Sequence, residues 1–323
     1  MNPHHAFPFS RTVLFLAAVL LAPAALPPAR AQTPGTTTAT VPELFAGELD
    51  DVGPQYLLLE KSRAKPFDLW TDFEITGTSN ATLVETNPTF STITSAQAGV
   101  TWQSAPKPRW GGQLTWEAGV KGQVYRYGYL TGVKQKINFL EIDRNDFDLI
   151  GVHVRADWRR EHWLAGLTLR GSTLRSTTAK SVFYEEAALE WQAFRHWALT
   201  PQRTFAVGLE GAYRYSSTDS FGLLPSRWND RAEQGIVAVL DQAVGAKWRL
   251  QPALRVLASR YTDPGRNRTD WHEAARLTLS RALGRSGELR FSAGYDRRDS
   301  SEPLIADFQK WDFALGANAH WRF

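Results

Sequence analysis

The chain has 323 residues, a formal net charge of +4 at pH 7, 13 tryptophans, one methionine and no cysteine. The absence of cysteine excludes disulfides and thiolate metal sites together, and a basic surplus this small, with Arg11 and Arg30 supplying half of it, leaves no nucleic-acid footprint. A mean hydropathy of −0.34 would not mark the chain as a membrane protein.

The first element is a leader. Arg11 precedes the apolar run "TVLFLAAVLLAPAAL", and "ARA" follows at 29–31. A short positive region, a brief apolar stretch and a small-x-small site predict a cleaved signal peptide over 1–31. Pro23, Pro27 and Pro28 interrupt a run already too short to span a bilayer. No cysteine follows the site, so a lipoprotein is not expected. Residues 32–65 read as a periplasmic segment, with a Thr/Pro linker over 32–42. A stretch over 43–65 carries Glu43, Glu48, Asp50 and Asp51 and is either a tether or a plug for the periplasmic mouth.

From residue 66 to the end the texture is uniform. Trp116, Ala118, Val120, Gly122 and Val124 alternate with Glu117, Gly119, Lys121 and Gln123. The same period of two recurs at 150–158, 187–193, 205–213, 275–279, 289–295 and 311–323, and less cleanly at 67–77, 94–103, 163–174, 235–248 and 253–261. Alternation marks strands with one apolar face, and about twelve are expected. Short links fall near 104–109, 159–162, 195–203, 249–252 and 283–287. Long polar links fall near 78–93, 130–145, 175–183, 216–233, 262–269 and 297–309. Short and long links in alternation put all short turns at one end of an up-and-down meander, with the long loops at the other.

Aromatic placement separates a soluble sandwich from a membrane barrel. Trp102, Trp110, Trp158, Trp163, Trp191, Trp197, Trp248 and Trp321 lie by the short turns. Tyr125, Tyr127, Tyr129, Tyr184, Tyr213, Tyr215, Tyr261 and Tyr295 lie by the long loops. Such rings prefer the wet–dry boundary of a bilayer, so two girdles are expected. Trp311 and Trp321 lie ten residues apart. That is about 33 Å along a strand, or about 23 Å in height at a 45° tilt, close to the apolar band of an outer membrane. The fold class predicted is all-β: a transmembrane antiparallel up-and-down barrel over 66–323.

The chain ends "KWDFALGANAHWRF", with Trp311, Phe313, Leu315, Ala317, Ala319, Trp321 and Phe323 at every second position. With the leader and the hairpin rhythm, this resembles Gram-negative outer-membrane β-barrel proteins of the porin-like kind, over residues 67–323. The resemblance implies a location in the cell outer membrane, contact with its lipid, and a C-terminal strand read by the barrel-assembly machinery. Phe323 would be the recognition residue and Trp321 its support. No stretch singles out one family, and the oligomeric state stays open.

Polar residues alternating with the lipid face should line the lumen. These include Glu117, Lys121, Arg155, Asp157, Arg170, Glu190, Glu210, Arg214, Arg276, Arg290 and Asp312, and further Glu186, Asp241, Lys247, Arg255 and Asp296. Charges of both signs suit a polar channel or a ladder of ion pairs bracing the wall. The expected function is a narrow porin-like channel for small polar solutes or ions. The alternative is a non-conducting barrel with a structural or surface-interaction role. An outer-membrane hydrolase or an exopolysaccharide export component stands further off. His153 and Asp157 share a strand face but lie about 13 Å apart, too far for a catalytic dyad. "GTSNA" at 77–81 imitates a nucleophile motif without its strand-to-helix elbow. Neither catalysis, a metal site nor a cofactor is expected.

Overall fold

The computed structural model describes residues 66–81, 83, 90–128, 136–137, 140–141, 146–218, 229–262, 268–284, 286–302 and 307–323. The expected leader (1–31), the segment 32–65 and Tyr129 lie outside the described residues. The strands in chain order are β1 (Phe67–Thr78), β2 (Ser91–Gln103), β3 (Lys107–Arg109), β4 (Gly112–Tyr127), β5 (Lys136–Ile137), β6 (Leu140–Glu141), β7 (Phe147–Arg160), β8 (Trp163–Ser176), β9 (Val182–Thr200), β10 (Arg203–Thr218), β11 (Arg231–Val244), β12 (Trp248–Tyr261), β13 (Thr269–Leu283), β14 (Gly287–Ser300) and β15 (Phe308–Arg322). No helix occurs among the described residues. The short β3 pairs only with β4, and β5 with β6 forms a separate tiny hairpin. The other twelve strands pair antiparallel around a closed ring.

Closure is made by β1 and β15, which pair from Asp68 opposite Arg322 to Thr78 opposite Asp312. The Phe67 N–H donates to Phe323 O (3.2 Å) and the Phe323 N–H to Phe67 O (3.1 Å). Their rings stack outside the seam, with centroids 5.9 Å apart. At the other end of the seam the Trp311 N–H donates to Ser79 Oγ (2.8 Å), and Asn80 Nδ2 donates to Gln309 O (3.2 Å). "GTSNA" is therefore the upper lock of the barrel seam.

The barrel is inverted relative to a soluble protein. Leu69, Phe73, Val120, Val152, Leu167, Leu209, Ile236, Leu277, Phe291 and Leu315 are exposed on its outside. This is the face expected to touch lipid. Inside, two apolar clusters fill part of the space. Tyr125, Tyr127, Phe147, Leu149, Leu174 and Tyr184 pack towards the long-loop end. Leu164, Phe194, Ala206, Val237, Val239, Ala253 and Ala274 pack across β8 to β13.

Three expectations need correction. The first concerns the tyrosine girdle. Tyr125, Tyr127, Tyr184 and Tyr261 are buried inside the barrel, whereas Tyr213 and Tyr215 are exposed outside. Tyr295 packs at 4.9 Å beside the outward Trp311. Tyr125 and Tyr127 share parity with Lys121 and Gln123, and parity decides the face more strongly than ring preference does.

The second correction concerns the links. The fourth short turn is 245–247, not 249–252. Gly245 (φ 72°) and, in the fifth turn, Gly284 (φ 72°) supply the positive φ that tight hairpins need. Pro252, within the expected link, lies inside β12 opposite Leu277. On the β11 side the register runs through Val239–Ala253 and resumes at Gln242–Leu250. The proline's missing amide falls in that gap. The third short link is only 201–202, and the long link at 175–183 contracts to 177–181. Arg195 extends β9 because its guanidinium lies near the rings of Trp163 (5.6 Å) and Trp197 (5.3 Å), a setting that lets a charge sit on an outer face. The third correction is Lys247, which is exposed in the 245–247 turn rather than inside.

The parity assignment is testable on one strand. Leu315→Arg should cost about 2–4 kcal/mol of folding free energy in a denaturant titration in lipid vesicles. Ala314→Ser, one residue away and facing inward, should change it by less than about 0.5 kcal/mol.

Candidate functional site: the lumen

Of the sixteen residues expected in the lumen, all but Lys247 lie on the strand parity opposite the exposed apolar face. They fall into separate groups around the wall. On β4 and β7, His153 Nε2 lies 3.2 Å from Glu117 Oε1, not beside Asp157. Arg155 Nε and Nη2 instead donate to Asp157 Oδ1 at 2.9 and 2.7 Å. Lys121 faces in from β4 between Gly99 and Gly151 in the register. Its aliphatic stem runs over Gly151, where an added Cβ would meet it at 3.5 Å.

The densest group spans β8 to β11. Arg214 reaches Glu186 (2.8 Å), Glu190 (3.3 Å) and Glu233 (2.8 Å). Arg170 reaches Glu186 (3.3 Å) and Glu190 (3.1 Å). Arg231, with 0% of its surface exposed, donates to Glu233 Oε1 at 2.6 Å and to Asn229 O at 3.2 Å. The Tyr184 hydroxyl donates to Glu186 Oε2 at 2.6 Å. Three guanidiniums and three carboxylates thus share one buried network. Sharing holds each side chain from several directions and satisfies more of its donors and acceptors than an isolated pair would.

Further round, Arg255 pairs with Glu210, and Arg249 lies 3.1 Å from Asp241. Arg276 passes close to Gly294. Lys310 lies 3.2 Å from Asp312 and 3.9 Å from Asp296. Arg290 Nη2 donates to both oxygens of Asp72 at 2.9 and 2.7 Å, and lies 3.9 Å from Glu74. No group of three or more His, Asp or Glu among the described residues is placed to hold a metal.

Sequence reasoning missed Arg231, Glu233, Asp72 and the Arg268–Asp270 pair, although each obeys the same alternation. Arg231 and Glu233 fell in an expected loop. Asp72 alternates with Thr71 and Phe73, and that parity alone could have placed it inside.

Within the network, loss of one charge should cost more than loss of a matched pair. Arg231→Ala leaves buried carboxylates uncompensated and should lower stability by about 3–5 kcal/mol. Arg231→Met with Glu233→Leu should recover most of that loss. Urea unfolding of the vesicle-inserted protein reads both.

No family model matches the chain, and no curated protein matches it in sequence. Solved structures do. The COG4313 outer membrane channel from Pseudomonas putida F1 is 11% identical, with 84% of this chain and 100% of that chain covered and a TM-score of 0.56. The beta domain of the Bordetella autotransporter BrkA is 14% identical over 79% of this chain and 99% of that chain, with a TM-score of 0.42. The NanC porin is 9% identical over 76% and 98%, with a TM-score of 0.41. At 11% identity, the likeness to the first of these concerns the fold alone. Together with the apolar exterior and the closed twelve-stranded wall, it is the fold of an outer-membrane β-barrel protein.

Proposed function

We propose that the protein is a narrow outer-membrane channel for small polar solutes or ions. One observation carries this reading: charged residues of both signs, largely paired, lie on the inward parity of the wall beside two apolar clusters, while the outward parity is apolar. A barrel that served only as an anchor would not need charges on so many strands. Paired charges leave little net field along the axis, so ions of either sign would meet similar barriers. Twelve strands lie between filled eight-stranded barrels and open sixteen-stranded porins, which suits a small pore. The likeness to a solved outer-membrane channel supports the same reading. No catalytic step is part of it.

A second reading, a non-conducting barrel, draws on the deep burial of many inward residues, Arg231 and Phe147 among them. Planar-bilayer recording decides between them. The channel reading expects small, discrete conductance steps and a reversal potential near zero in a salt gradient. A barrel that inserts and unfolds reversibly yet never conducts would support the second reading.

Phe323 and Trp321 are proposed as the signal read by the assembly machinery. Phe323 also makes the last hydrogen bonds and the ring stack of the seam, so the two roles must be separated. Phe323→Ala should refold into detergent micelles nearly as well as the parent but accumulate several-fold less in the outer membrane. An equal defect in both settings would leave Phe323 with a closing role alone.

A further inference from the structure

We infer that the outer wall at the short-turn end carries a docking site for an anionic phospholipid, centred on Arg160, Trp163 and Arg195. The inference rests on the barrel fold and not on conduction, so a barrel that never conducts would leave it standing.

The outward face is charged differently at its two ends. Towards the long loops, outward strand positions carry both signs. Arg126 lies 2.9 Å from Asp148 and Arg297 2.8 Å from Asp299, and Glu185 and Glu273 match Arg175 and Arg260 in number. Towards the short turns, the charged outward positions among the described residues are all basic. They are Arg160 on β7, Arg195 on β9, Arg203 on β10 and Arg281 on β13, with the exposed Lys107 and Arg109 on β3. Glu161, in the turn after β7, and the terminal carboxylate of Phe323 lie beyond the strands.

Lumenal arginines answer carboxylates, whereas Arg160, Arg195 and Arg281 form no ion pair among the described residues. Arg195 lies near the rings of Trp163 (5.6 Å) and Trp197 (5.3 Å), and Arg281 near that of Trp248 (5.3 Å). An indole supports a cation but carries no net charge, so each guanidinium still lacks an anion. Arg160 reaches to the turn at Gly111, where an added Cβ would meet its Nη1 at 3.4 Å. In the register Arg160 stands opposite Trp163, and Trp163 opposite Arg195. The three form a row across adjacent strands. At about 4.8 Å per strand, the two arginines start about 10 Å apart, and their long stems can close from both sides on one phosphate. Guanidinium forks suit its oxygens.

The surroundings select a lipid rather than a soluble anion. Trp163 and Trp197 are exposed beside the guanidiniums, and indoles favour the headgroup level of a bilayer. From the row towards the middle of the wall, Ala165 pairs with Ala193, Leu167 with Trp191 and Leu169 with Leu189. Leu167, Leu169, Trp191 and Leu189 are exposed. An acyl chain hanging from a phosphate held at the row would run along them, whereas a soluble anion would make only the head contact. A zwitterionic headgroup brings its own cation to its phosphate. One with net negative charge leaves the phosphate to the arginines, each contributing about fivefold in affinity. The leaflet is the periplasmic one, which the short turns of such barrels face.

The test uses the refolded mature protein in non-ionic detergent and native mass spectrometry, which counts bound lipid molecules. The probes are dioleoyl-phosphatidylglycerol, the zwitterionic dioleoyl-phosphatidylcholine with the same chains, and glycerol 3-phosphate as the soluble anion. Phosphatidylglycerol should bind at least about tenfold tighter than phosphatidylcholine, and glycerol phosphate should not displace it. Arg160→Gln with Arg195→Gln should remove most of that preference. Arg126→Gln with Arg175→Gln takes the same charge from the long-loop end and should keep it. Only samples with the heat-modifiable gel mobility of a folded barrel are scored. If the first double variant does not fold, Arg195→Gln alone carries the test, with phosphatidylglycerol binding weakened about fivefold. Equal binding of the two lipids, a preference that survives loss of both arginines, an equal fall in both double variants, or displacement by glycerol phosphate would each overturn the site.

Discussion

The main-chain pairing of β1 with β15 is the constraint on which the rest of this molecule depends. Hydrocarbon offers no partner to an open row of amides and carbonyls, so a sheet crosses a membrane only if its first and last strands meet. Here they meet along the whole of β1, from Phe67 at the C-terminal residue to Thr78 opposite Asp312. The register of this seam sets which face each side chain takes. Leu69 opposite Trp321 points outward, and Trp70 opposite His320 points to the lumen. A slip of one residue would exchange the two sets on one strand. Each neighbouring pair repeats that constraint around the ring.

Closure has a cost inside the barrel. It gathers inward residues from twelve strands into one enclosed space, and charged groups there lose much of their water. The molecule answers with pairing. Arg214 and Arg231 are shared between Glu186 and Glu233, Arg155 is turned onto Asp157, and Arg290 grips both oxygens of Asp72. Once made, such pairs are expensive to break singly because the remaining charge is left uncompensated. Bracing the wall and lining a polar path are thus two consequences of the same side chains.

Much of the architecture was legible as alternation. Segments such as 116–124 and 311–323 show it so plainly that both the number of crossings and the inward set could be read from residue type. The errors came where a residue's chemistry was given more weight than its parity. Tyr125, Tyr127, Tyr184 and Tyr261 were assigned to a bilayer girdle, yet each stands on the lumen parity and is buried inside. The link expected near 249–252 contains Pro252, which a strand tolerates where the neighbouring ladder already lacks a bond. The link expected near 195–203 begins at Arg195, which two indoles make comfortable on the outer face of a continuing strand.

The sequence by itself determined the crossing number, the face of each well-alternating side chain and the inverted distribution of polarity. Those properties are local, since a period of two needs only one strand to express it. Only the tertiary structure decided which inward residues meet. Arg290 finds Asp72 at a separation of 218 residues, and Arg214 finds Glu186 and Glu233 on the two strands flanking its own. These meetings depend on strand register and on closure of the ring, which no single segment encodes.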